Sequence, residues 1–238
     1  MKKIILNQKS YMLYDDMVKF KKTFDKMKSD DYEFIIYPPL LYLSMFKDCS
    51  YKVGTQNFFS YKMGSFTGEL NLESLKKIGI DYTMVGHLER RKIMFESYAM
   101  AKEKLFKSLS SRCYTILCVG EVKKGRRPFN YIKKELNFYL RSIDSSLLKY
   151  LSIAYEPSWA IGTGDVQSTS KIENVINDIK LYVYKRYKVN IEVYYGGSVS
   201  EDNINEIFNI SDGIVLGKVS TDAEKLKSIL KNIEKTKK

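Results

Sequence analysis

Five short stretches of the 238-residue sequence carry side chains fit for chemistry, and each closes an apolar run. His87, the only histidine, ends "DYTMVGH" and precedes the charged Leu88-Glu89-Arg90-Arg91. That context predicts a helix N-terminus, whose positive end disfavours the imidazolium and leaves a neutral ring able to donate to a substrate oxygen. Glu156 lies in "AYEPSWAIGTGD", where a strand end and Pro157 would hold its carboxylate rigidly. The loop after it carries the only tryptophan, Trp159, and the glycines Gly162 and Gly164, which suits a segment that swings over a site. Asn7-Gln8-Lys9 could aim a cation at the same place. In "YYGGSVS" and "GIVLGKVS", backbone amides beside Gly196, Gly197, Ser198 and Gly217 can approach an anion closely. One carboxylate, one neutral imidazole, one lysine, a lid and a phosphate grip describe proton transfer beside a carbonyl on a small phosphorylated substrate. Each feature alone has a plainer reading: a structural histidine, a solvated lysine, an ordinary turn.

The elements that must bring these residues together are regular. Nearly continuous apolar runs occur at 3–7, 32–38, 51–57, 81–87, 114–121, 150–157, 191–197 and 212–218. Such runs are typical of strands buried on both faces of a parallel sheet. Between them, "YDDMVKFKKTFDKMK" (14–28) places Met17, Phe20, Phe24 and Met27 on one helical face, and 169–187 does the same with Ile172, Val175, Ile176 and Ile179. Ser200-Glu201-Asp202 signals a helix start, and Thr221-Asp222-Ala223-Glu224 spells a capping box. The shortest linking helix falls near "LLYLSMFKD". Eight strand–helix units specify an α/β fold, and a closed (β/α)8 barrel typically takes about 250 residues. An open doubly wound sheet is the competitor, and in both the ligand edge is the C-terminal end of the strands.

Composition narrows the partners. A net charge of +12 could signal nucleic acid, yet the lysines are scattered along helical stretches and no nucleic-acid motif appears. Abundant Lys, Ile, Asn and Tyr with scarce Ala point instead to compositional drift. No apolar run reaches membrane length, and "MKKIILNQKS" turns polar too soon for a signal peptide. Cys49, Cys113 and Cys118 form no CxxC pair, so they are expected to be reduced thiols in a cytoplasm. One histidine and scattered cysteines cannot assemble a usual metal site.

The order and spacing of "NQK", "TQN", "GSFTGE", "VGHLERR", "CVGE", "AYEPSWAIGTG", "YGGSV" and "DGIVLGK" resemble the triosephosphate isomerase family along essentially the whole chain, 1–238. The resemblance implies a single TIM barrel that interconverts dihydroxyacetone phosphate and D-glyceraldehyde 3-phosphate. Its setting would be glycolysis and gluconeogenesis, alongside pentose phosphate metabolism, with neither cofactor nor metal. It further implies that Glu156 is the base, His87 the neutral electrophile and Lys9, after Asn7, the substrate-binding cation. Gly162, Ser198, Gly217 and Lys218 would contact the phosphate, and Glu89 matches the acidic residue after the histidine. The family is itself a standing illustration of how burial and a helix terminus tune two such groups. Thr67, in "GSFTGE", implies a symmetric homodimer whose loop reaches the partner's Lys9 region, with Gln56 and Asn57 in support. Three positions depart from the family: Gln8 stands for tryptophan, Leu88 for serine and Lys218 for glycine. Leu88 cannot hydrogen-bond the glutamate as serine does, and Lys218 would be strained if its backbone were left-handed. The alternative function is a non-catalytic basic barrel used as a binding protein.

Overall fold

All eight apolar runs form strands, and six of them stop two residues before the apolar pattern does. The computed structural model describes residues 1–160 and 167–235. The strands are β1 (Lys2–Asn7), β2 (Tyr32–Tyr37), β3 (Lys52–Thr55), β4 (Tyr82–Val85), β5 (Tyr114–Val119), β6 (Leu151–Tyr155), β7 (Glu192–Tyr195) and β8 (Gly213–Leu216). Each pairs in parallel with its neighbour in sequence, and β8 returns to β1 through Lys3↔Gly213 to Leu6↔Leu216. The ring is closed, so the open-sheet alternative is excluded. The residues beyond each strand leave the ladder to build the mouth; Gly86, for example, turns at φ +73° to place His87 at a helix start.

The helices are α1 (Tyr14–Phe24), α2 (Leu72–Lys77), α3 (Leu88–Lys92), α4 (Tyr98–Ser110), α5 (Pro128–Leu140), α6 (Thr169–Tyr187), α7 (Ile204–Ile210) and α8 (Ala223–Lys235). After β2 the chain makes a 3-10 helix, Leu40–Phe46, in the place of the expected shortest helix. Burial divides the apolar residues into two layers. Ile5, Ile35, Tyr37, Met84, Ile116, Cys118, Ala154, Tyr194 and Val215 fill the barrel, while a larger set packs between strands and helices. This double burial is why the strands lack polar alternation.

Three local expectations are corrected. α1 ends at Phe24, short of residue 28, because the chain tightens into turns there, with the Lys26 amide on Thr23 and the Met27 amide on Phe24. Residues 200–203 form a turn, and α7 starts only at Ile204; the Asn203 side chain turns back to accept the Ser200 amide. At α8 the cap is Asp222, whose Oδ1 accepts the amides of Glu224 and Lys225, whereas Thr221 donates backwards to the Lys218 carbonyl. Among the described residues no helix is long and apolar enough to cross a membrane.

Candidate active site

At the C-terminal end of the strands a cavity of about 530 Å³ is lined by Asn7, Lys9, His87, Glu156, Gly196, Gly197, Ser198, Gly217 and Lys218. Residues spread from 7 to 218 in sequence therefore share one space, as the strand-end pattern requires.

His87 is buried and is the N-cap of α3. Its Nδ1 accepts the Glu89 amide at 3.3 Å, so that nitrogen carries no proton and the N–H lies on Nε2. Nε2 points toward Glu156, 3.7 Å from Oε2. That is too long for a hydrogen bond, so the carboxylate is not tied to the ring.

Glu156 follows β6 directly, its amide on the Val119 carbonyl of the neighbouring strand at 2.8 Å. It is 4 % exposed, and Oε2 has no hydrogen-bond partner among the described residues. Burial pushes its carboxyl above the usual range, against the opposing pull of His87 and then Lys9. Leu88, half-buried at the start of α3, offers no hydroxyl to that oxygen.

Lys9 is held from several sides. Its backbone is left-handed at φ 52°, a conformation that L-residues keep only when surroundings enforce it. Its amide donates to Asn7 Oδ1 at 3.3 Å, and its carbonyl accepts from Gln56 Nε2 at 2.9 Å. Its ammonium pairs with Glu89 Oε1 at 2.5 Å. Asn7 thus serves as the brace of the lysine turn. Asn57, the other half of that pair, accepts from the buried Lys104 at 2.7 Å.

The strain foreseen at Lys218 does not arise. Among the described residues the left-handed non-glycine ones are Lys9, Phe95, Arg112 and Lys188, whereas Lys218 opens a short 3-10 turn with its side chain exposed. No ion-pair partner for its ammonium occurs among the described residues. Gly217 leaves ordinary space: a Cβ there would lie 3.9 Å from Lys9 Nζ.

The glycine pair after β7 lines the cavity where an anion was expected to approach, and it also makes room for two neighbouring side chains. A Cβ on Gly196 would come within 2.7 Å of Glu156 Cγ and 2.8 Å of Oε1, and one on Gly197 within 2.2 Å of the Tyr195 hydroxyl. Gly196 is the floor under the carboxylate. Ser198 lines the cavity, yet its hydroxyl donates to the Ala160 carbonyl. Gly162 lies outside the described residues. Thr67 is exposed on the loop between β3 and α2, away from the cavity lining.

Glu121 was not singled out from sequence, and Gln56 was expected only in support of a dimer contact. Gln56 binds both the Lys9 and Tyr37 carbonyls, at 2.9 Å each. Buried Glu121 accepts from Trp159 Nε1 at 2.9 Å and Tyr155 OH at 3.2 Å, anchoring the base of the loop after Glu156. The "TQN" and "CVGE" strings were the available signals.

Residues 2–233 match the family model described as triosephosphate isomerase. A protein of that name from Alkaliphilus metalliredigens is 35% identical over 213 residues, 84% of this chain and 86% of that one. The Wigglesworthia glossinidia brevipalpis protein of that name is 35% identical over 227 residues, 90% and 89% of the two chains. That from Mycoplasma pneumoniae is 38% identical over 165 residues, 67% of each.

Proposed function

The chain belongs to the triosephosphate isomerase family, and on that premise we propose that Glu156, His87 and Lys9 are the groups that carry its reaction. The reaction is the interconversion of dihydroxyacetone phosphate and D-glyceraldehyde 3-phosphate, a step of glycolysis. Glu156 takes the proton from the carbon beside the carbonyl. Burial strips water from its carboxylate and makes it the stronger base that a carbon acid demands. His87, protonated on Nε2 alone, donates to the carbonyl oxygen and then serves each enediolate oxygen in turn. Lys9 stabilises the negative charge that develops there. Ser198, Gly217 and Lys218 line the end of the cavity where the phosphate would sit, and the family resemblance adds Gly162 as a further phosphate contact.

The observation that carries this reading is the 3.7 Å approach of Glu156 Oε2 to His87 Nε2 in a cavity also lined by Lys9. A coupled isomerisation assay on the purified protein tests it. Turnover should be strong for the natural chain and fall at least about a thousandfold in Glu156→Ala. Retained turnover in that variant would overturn the assignment of the base.

The finer parts of the reading follow from the same premise. The unit is the whole chain, 1–238, working in the cytoplasm, with use in gluconeogenesis and beside pentose phosphate metabolism. The assembly is a homodimer, supported by apolar side chains exposed in neighbouring loops: Tyr61, Met63 and Phe66 after β3, and Ile93, Met94 and Phe95 after β4. Such a concentration on one end of a barrel is uncommon on monomers. Thr67 sits beside Phe66 in the loop that would cross to the partner subunit. No observation favours the non-catalytic binding reading.

A further inference from the structure

Behind the cavity, the carboxylate of Glu135 on α5 touches groups belonging to two different strand ends. It is buried, with a side chain only 4% exposed. Oε2 accepts the Gly120 amide at 3.0 Å, just past β5. Oε1 accepts from Arg91 Nη1 at 2.9 Å and from the Tyr98 hydroxyl at 3.0 Å. Arg91 in turn donates through Nε to the Gly86 carbonyl at 2.9 Å, and Gly86 is the residue before His87. On the other side, Gly120 lies flat against the backbone of Glu156: a Cβ there would stand 2.0 Å from the Glu156 carbonyl oxygen. One carboxylate therefore sits midway in a chain of contacts that runs from the backbone just before His87 to the backbone of Glu156.

We propose that Glu135 is a positioning residue for the isomerisation, a strut that with Arg91 fixes the separation of His87 and Glu156 and balances a buried positive charge beside them. The proposal rests on the reading of Glu156 as the base. Its physical content is twofold. First, the spacing between two groups on separate strands has to be held to fractions of an ångström for proton transfer, and an ion pair with three fixed acceptor contacts does that better than apolar packing. Second, Arg91 is close enough to pull the Glu156 carboxyl down, after His87 and Lys9, while Glu89 pushes it up. Cys118, buried inside the barrel, also faces it. Glu135 is the carboxylate that offsets Arg91, and Tyr98, with Tyr131 hydrogen-bonded behind it, completes the shell on the α4 and α5 side.

Glu135→Gln tests this directly. The amide oxygen can still accept from Gly120, but Arg91 loses its counter-charge and meets an amide that cannot balance it. The ionised form of Glu156 is then favoured, so the acid limb of kcat/KM should move to lower pH by about half a unit. The spacing loosens too, so kcat should fall about tenfold with KM within about twofold. Glu135→Asp keeps the charge on a shorter arm, and its limb should stay in place while kcat falls. If Glu135→Gln folds poorly, Arg91→Met/Glu135→Met removes both charges with apolar side chains of similar length. Its limb should lie near that of the natural chain, with kcat still reduced. An unmoved limb and unchanged kcat in Glu135→Gln, or activity lost only in proportion to the folded fraction, overturns the strut. Glu156→Ala separates the two levels: turnover surviving there sinks the base assignment, whereas its loss beside a wild-type-like Glu135→Gln sinks only the strut.

Discussion

Gly196 touches the reacting carboxylate without having any side chain of its own. Because a Cβ would sit 2.7 Å from Glu156 Cγ, Gly196→Ala must push the carboxylate off its place near His87. We expect kcat to drop about a hundredfold with little change in thermal stability, read by steady-state kinetics beside a melting curve. A variant with normal kcat would mean that the carboxylate position is not critical. Glu156 itself sets a pH dependence with a definite sign. Only the ionised base works, and burial raises its pKa, so activity should fade on the acid side at a pH above the ordinary glutamate value of about 4.3. Leu88→Ser should give a hydrogen-bonding partner to the Glu156 oxygen that has none among the described residues; unchanged KM and kcat would make position 88 irrelevant to the reaction. At this scale the gathering of His87, Glu156 and Lys9 around one cavity was legible because rare or charged types stood at strand ends. Gly196 was read only as an approach for an anion, since a glycine in a sequence advertises missing atoms and not the Glu156 carboxylate that packs against it. Glu121 escaped, and Gln56 was placed only at a subunit contact, because they act on Trp159 and on the backbone of Lys9, contacts that join residues 38 and 47 positions apart.

Elements were read well in their middles and less well at their ends. An apolar run records burial, and burial continues past the last ladder bond wherever the chain turns over the barrel mouth. The 3-10 helix Leu40–Phe46 still buries Tyr42, Leu43 and Phe46 after Pro39, which is why the apolar pattern there was visible although its helix type was not. The start of α8 shows the limit of a motif. Thr221 and Asp222 are both good caps by type, and the outcome depends on where the preceding turn leaves the backbone. Asp222 Oδ1 meets two helix amides, at 3.1 Å and 3.0 Å, and Thr221 meets none. α8 lays Leu226, Ile229, Leu230 and Ile233 on the core, so fraying at its first turn should be felt globally. Asp222→Ala should therefore cost about 1 kcal/mol in urea unfolding, and Thr221→Ala clearly less. Equal costs would return the cap to Thr221.

Closure of the barrel is a property of all eight registers at once, and no local pattern holds it; only the count of units and the length pointed to a ring in place of an open sheet. The same closure gathers the loops after β3 and β4 at one end, where they carry Met63 at 80% and Phe95 at 86% exposure. Phe59, Tyr61 and Phe66 pack against one another at tilted angles within the first loop, at 4.7 to 5.4 Å between centroids, contacts that brace the loop from within its own chain. A preformed apolar surface next to the catalytic mouth favours association, because little ordering entropy remains to be lost on contact. In sedimentation equilibrium the natural chain should behave as twice its 27.8 kDa mass at micromolar concentration. Met63→Asp would bury a charge in that contact and should shift the species to monomer while leaving the barrel folded by circular dichroism. Activity per chain should fall with it, because Lys9 and its brace Gln56 lie at the same mouth and would lose the neighbouring subunit's support. A natural chain that sediments as a monomer and is fully active would remove the dimer from the account.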